Sequence, residues 1–90
     1  MARVTMYTTR TCPYCAAARA LLTKLGVAYE DIDVTGNATL RAEMERRAGR
    51  RTVPQIWIGE RHVGGFDDMN ELYHKGQLEP LLAEGAHGRE

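Results

Sequence analysis

Arg3-Val4-Thr5-Met6-Tyr7-Thr8, then Cys12-Pro13-Tyr14-Cys15, then Ala16-Ala17-Ala18-Arg19-Ala20-Leu21-Leu22-Thr23-Lys24-Leu25 decide the start of the fold. The first run alternates and is rich in β-branched residues, which reads as a strand. The third is made of strong helix formers, with Leu21, Leu22 and Leu25 at helical spacing and Gly26 as a stop. The cysteine pair therefore opens a helix. With Cys12 as N-cap, Pro13 falls at the first helical position, where its missing N–H and fixed φ cost nothing. The N–H groups of Tyr14 and Cys15 then face the Cys12 side chain, and the positive end of the helix dipole adds to them; both favour a sulfur anion there. Cys15, deeper in the helix, is the less exposed sulfur and suits attack on a mixed disulfide formed at Cys12. A redox pair is the leading reading of these two cysteines, the only ones in 90 residues.

Other readings fit less well. A structural staple gains little from so short a loop, because stabilisation by a disulfide grows with loop length. A zinc site needs about four ligands, and the rest would have to come from His62, His74 and His87, which with eleven and twelve intervening residues form no compact pair. No metal is therefore expected. Length fits one small domain, residues 1–90, ordered over about 2–84. No apolar run approaches a membrane span, and Met1-Ala2-Arg3-Val4 enters a strand without the apolar core of a signal peptide. A reducing, cytoplasmic setting and a monomer without membrane association are expected. Twelve Lys and Arg balance twelve Asp and Glu, so no global charge points to nucleic acid. One local excess, Arg41, Arg46, Arg47, Arg50 and Arg51, reads chiefly as the solvated face of a helix, or else as an anion-binding rim.

Val27 to Val34 reads as a second strand, and Thr35-Gly36-Asn37 supplies turn and cap residues. Ala38 to Ala48 reads as a helix with Leu40, Met44 and Ala48 in register, ended by Gly49. Val53 to Ile58 and Arg61 to Gly64 form a hairpin around Gly59-Glu60. Asp67 caps a helix running through Lys75, and a last helix spans about Gln77 to Glu84 with Leu78, Leu81 and Leu82 inward, leaving residues 85–90 frayed. The order is βαβαββαα. One right-handed βαβ crossover makes the first two strands parallel, and the hairpin adds antiparallel strands. The expected fold is α/β and thioredoxin-like: a four-stranded mixed sheet with helices on both faces, its buried middle marked by Ile56-Trp57-Ile58. Trp57 reads as core.

In this order and spacing, Cys12-Pro13-Tyr14-Cys15, Thr52-Val53-Pro54 and Gly64-Gly65-Phe66-Asp67-Asp68 resemble the dithiol glutaredoxins, most nearly the short bacterial glutaredoxin 3 type, over about residues 3–83. The resemblance implies a cis Val53-Pro54 bond, which an X-Pro sequence holds at modest cost, and a Val53 backbone exposed beside Cys12. Glutathione would pair with that backbone as a short added strand between Thr52 and Pro54. Gly64-Gly65 would admit a ligand backbone, the N–H groups of Phe66 and Asp67 would receive the γ-glutamyl carboxylate, and Asp68 would face the ammonium. Tyr14 lines the groove or covers the helix start.

Two positions depart from the family pattern. Thr9 stands where many members carry Lys, leaving Arg10 as the nearest cation, and Arg41 falls where relatives place Gln or Arg near the glycine carboxylate of glutathione. Phe66 replaces a frequent extra cysteine. The implied activity is reduction of protein disulfides and protein–glutathione mixed disulfides, with Cys12 as nucleophile, Cys15 as resolving thiol, glutathione as co-substrate and no tightly bound cofactor. Glutaredoxin potentials near −200 to −230 mV, against about −270 mV for thioredoxin, make glutathione the natural reductant. Two rivals remain: a redoxin served by thioredoxin reductase, and a glutathione-bridged [2Fe-2S] carrier. The first would usually lack the Gly-Gly-x-Asp-Asp groups, and Pro13 would crowd the second's cluster.

Overall fold

The computed structural model describes residues 3–87. Along the chain these form β1 (Val4–Thr8), α1 (Pro13–Lys24), β2 (Tyr29–Asp33), α2 (Ala38–Ala48), β3 (Gln55–Ile58), β4 (Arg61–Gly64), α3 (Phe66–His74) and α4 (Leu78–His87). The sheet order is β2-β1-β3-β4, with β1 parallel to β2 and antiparallel to β3, and β4 antiparallel to β3. The order of elements along the chain and the strand directions are those the sequence predicts.

Strand alternation divides the core in two. Val4 and Met6 of β1 and Ile56 and Ile58 of β3 face Ala18, Leu21 and Leu22 of α1, Met69 of α3, and Leu78 and Leu82 of α4. Their neighbours Tyr7 and Trp57 point the other way, onto Met44 of α2 and Val34. Helices therefore cover both faces, and the central strands β1 and β3 are buried on both sides. Trp57 is core, 4 % exposed, with the Arg47 guanidinium 4.3 Å from its ring centre. Arg47 also donates to the Tyr7 hydroxyl at 2.8 Å, so part of the arginine cluster packs on aromatic rings instead of facing solvent alone.

Four boundaries move from their expected places. β2 is shorter than Val27–Val34, because the Val27 N–H bonds back to the Leu22 carbonyl and closes the end of α1. β3 starts at Gln55 and not Val53, since Pro54 has no N–H for the ladder. α3 is capped at Gly65 and not Asp67: the Asp68 carboxylate reaches back from the third helical position to the Gly65 N–H at 2.9 Å, setting the start two residues earlier. α4 runs to His87, past Glu84, with Gly85 inside it; glycine weakens a helix but ends it only where the backbone turns left-handed. Of the expected frayed tail, residues 88–90 lie outside the described residues.

Candidate active site

The site forms where three chain segments meet above the ends of β1 and β3. The first is the start of α1. Cys12 is its N-cap in extended conformation, Pro13 follows at the first helical position, and the Cys15 N–H donates to Cys12 Sγ at 3.1 Å. Cys12 Sγ also lies 3.5 Å from the Val53 carbonyl oxygen, a hydrogen-bond contact to the second segment. Both cysteines are free thiols, Cys12 partly exposed and Cys15 0 % exposed. Burial, with a smaller contribution from the hydrogen-bonded Cys12 side chain, pushes the Cys15 thiol up to about 12.

The second segment follows α2. Asn37 caps that helix through the Leu40 N–H, and Gly49, at φ 70, ends it and turns the chain toward the cysteines. Arg50, Thr52, Val53 and Pro54 then cross beside Cys12, with the Val53-Pro54 peptide cis. The third segment joins β4 to α3. Gly64 sits at φ 117, and a Cβ there would run into the Asp68 carboxylate, so this turn demands glycine. Tyr14, Arg50, Thr52, Val53, Pro54, Gly65, Phe66, Asp67 and Asp68 enclose a groove of about 230 Å³. Its apolar wall is Tyr14, 60 % exposed, with its ring centre 6.4 Å from that of Phe66.

The polar end is organised around one oxygen. Asp68 Oδ2 accepts from the Gly65 N–H and from Arg50 Nη1, each at 2.9 Å. The Gly65 N–H first, and the Arg50 guanidinium second, hold the Asp68 carboxyl below the usual aspartate range. Eight of the ten residues expected to bind glutathione thus share one groove. The other two, Arg10 and Arg41, do not line it. Arg10 lies 3.5 Å from Asp33, and Arg41 donates to the Arg51 carbonyl at 2.9 Å beside a separate depression formed with Val34, Gly36, Asn37 and Ala38. The cation in the groove is Arg50, which the sequence reading left within the arginine cluster. Its signal was available: it follows the helix-ending Gly49 and stands two residues before Thr52. Among the described residues no group of three or more His, Cys, Asp and Glu is placed to hold a metal ion, and no helix is long and apolar enough to cross a membrane.

A dithiol at the start of the first helix, beside a cis-proline loop in a thioredoxin-like fold, defines the thiol–disulfide oxidoreductases as the class. Comparisons narrow this. A family model described as "Glutaredoxin" matches residues 4–63. Glutaredoxin 3 of Escherichia coli K12 is 51 % identical over 82 residues, 91 % of this chain and 99 % of that one. A glutaredoxin of Pseudomonas aeruginosa is 52 % identical over 83 residues, 92 % of this chain and 99 % of that one. A crystal structure of a buckwheat glutaredoxin–glutathione complex superposes with a TM-score of 0.87 at 30 % identity, over 94 % of this chain and 80 % of that one. The chain belongs to the glutaredoxin family.

Proposed function

We infer that this protein is a glutathione-dependent oxidoreductase that reduces protein–glutathione mixed disulfides through Cys12 and protein disulfides through Cys12 and Cys15. The observation carrying this reading is the placement of Cys12 Sγ 3.5 Å from the carbonyl oxygen of Val53, which lines a groove that also offers Gly65, Asp67 and Asp68. The buckwheat relative is described as a complex with glutathione, which supports the same ligand class.

In the monothiol path the Cys12 thiolate attacks the glutathionyl sulfur of a mixed disulfide. The protein sulfur leaves with the S–S bonding pair and takes a proton from water, and Cys12 becomes glutathionylated. The thiolate of a second glutathione attacks that glutathionyl sulfur, releasing oxidised glutathione and restoring the Cys12 thiolate. In the dithiol path Cys12 attacks a protein disulfide, Cys15 displaces the substrate, and two glutathiones reduce the Cys12–Cys15 bond. The γ-glutamyl group lies toward Asp68 and the N–H groups of the α3 start, with its ammonium on the carboxylate and its own carboxylate on the N–H groups. The peptide part pairs with Val53, and Thr52, Pro54, Tyr14 and Phe66 flank it. Arg50 is the cation of this groove, in place of Arg10 or Arg41. A reducing compartment such as the cytoplasm supplies the glutathione.

The test is turnover of a glutathionylated substrate with glutathione and glutathione reductase, run beside turnover with thioredoxin reductase. Glutathione-coupled turnover is expected to dominate. Reduction by thioredoxin reductase alone would overturn the assignment.

A further inference from the structure

Gln55 opens β3 with a polar side chain that is 0 % exposed, and nothing in the exchange chemistry above uses it. Its amide nitrogen lies 3.0 Å from the Thr52 carbonyl oxygen and 3.2 Å from the Thr52 hydroxyl oxygen, and its amide oxygen lies 2.7 Å from His62 Nε2. Elementary chemistry fixes the direction of this chain. A carbonyl oxygen only accepts, so the amide edge facing Thr52 is the NH2 group. The other edge is then an acceptor, and His62 must meet it with a proton on Nε2. The Thr52 hydroxyl oxygen receives an amide hydrogen, which leaves its own hydrogen to donate into the groove that Thr52 lines.

His62 is held in turn. Its ring centre is 4.7 Å from that of Trp57, its cross-strand partner, with the planes 33° apart. Burial, reinforced by the Arg50 charge, pushes its pKa down and favours the neutral ring. A fully bonded buried amide contributes little net stability over an apolar side chain of similar size; its larger effect is to fix the groups it bonds. Here those groups belong to the segment that carries Val53 to Cys12.

We propose that Gln55 and His62 are positioning residues for the groove: they fix the Thr52 carbonyl and aim the Thr52 hydroxyl hydrogen at the ligand. This end of the groove then selects a hydrogen-bond acceptor, a peptide carbonyl or carboxylate oxygen. The kinetic half of the test uses glutathione and so rests on the function inferred above; the structural half does not.

Steady-state kinetics of Gln55→Leu, Gln55→Glu and His62→Phe provide the first half. Gln55→Leu is expected to raise KM for glutathione about five- to tenfold, the weight of one or two hydrogen bonds, with kcat changed less than about twofold. Gln55→Glu raises KM further, because a carboxylate then faces the Thr52 carbonyl. His62→Phe keeps a ring against Trp57 but loses the N–H, and raises KM about two- to threefold. An unchanged KM in folded Gln55→Leu overturns the proposal, as does an equal loss in kcat and kcat/KM, which would put the effect at sulfur. The second half reads the His62 ring by NMR in isotope-labelled wild-type protein at neutral pH. A neutral ring protonated on Nε2 is expected; a proton on Nδ1 overturns the chain, whatever the protein's activity with glutathione.

Discussion

Cys12 and Cys15 bracket one turn of α1, and the turn gives them opposite environments. Cys12 lies outside the helix proper, takes an N–H from the first turn and touches Val53 of the groove lining. Cys15 lies inside, 0 % exposed, with its ionisation pushed up to about 12. The difference teaches that backbone position and burial alone give two identical side chains the unlike settings that the proposed nucleophile and resolving thiol require. Burial, the larger cause of the Cys15 shift, persists when Cys12 is tied in a mixed disulfide, so Cys15 remains protonated near neutral pH. Under the proposed function glutathione, with an unperturbed thiol pKa of about 8.5, would compete with it for the mixed disulfide, and only proximity would favour Cys15.

The largest expected effect tests the asymmetry directly. Cys12→Ser should lower all exchange by at least about a thousandfold, because a hydroxyl does not supply the anionic nucleophile. Cys15→Ser should keep reduction of glutathione mixed disulfides within about threefold while losing reduction of protein disulfides. Equal losses in coupled assays of the two variants would break the comparison. Next comes pH. In single-turnover measurements, resolution by Cys15 should accelerate about tenfold per pH unit from neutral upward for as long as burial holds the thiol protonated. The Cys15→Ser path, resolved by the glutathione thiolate, should rise with it only to about 8.5 and level off above, where the Cys15 path keeps climbing. A flat dithiol profile would mean that Cys15 is not held protonated.

The same shift has a sign in stability. Cys15 ionises near 9.0 when unfolded and near about 12 when folded, so between those values the unfolded chain holds fewer protons and stability falls as pH rises. Below 9.0 the contribution is fully present and constant. Above it, denaturant melts should show a loss of at most about 1.4 kcal/mol per pH unit that Cys15→Ala lacks. The smallest effect concerns the groove alone. Asp68→Asn should raise KM for glutathione about fivefold in wild-type and Cys15→Ser backgrounds alike, since it acts on the ligand of Cys12 and not on Cys15. Arg10→Ala and Arg41→Ala, outside the groove, should stay within about twofold.

What could be read in the sequence was what local chemistry controls. Cys12 as N-cap follows from Pro13 and the alanine-rich run behind it, and the strand directions follow from one crossover and one hairpin. The start of α3 was ambiguous, because Gly65 and Asp67 are both plausible caps until the side chain of Asp68 is seen to reach backward. Arg50 was hidden by distance: its partner Asp68 is 18 residues away, and only the left-handed turn at Gly49 brings them together. The Gln55–His62 bond joins β3 to β4 next to a register shift at Ile56/Trp57, and hydrophobic patterning reveals neither.

The Arg50–Asp68 ion pair also sets how the groove responds to salt. Asp68 already has a cationic partner within the protein, so a ligand ammonium arriving there shares or replaces that partner, and a ligand carboxylate can satisfy the released guanidinium. Such an exchange collects no net charge. A bare carboxylate would draw an ammonium through a field screened over about 10 Å at 0.1 M salt, whereas a neutral pair meeting a zwitterion gains little from that field at any ionic strength. With a formal net charge of +0 on the whole chain, no long-range attraction adds to it. At the Arg50–Asp68 end of the groove, occupancy is therefore governed more by the arrangement of ligand charges than by their sum, and the second carboxylate of the lining, Asp67, is left to meet ligand cations.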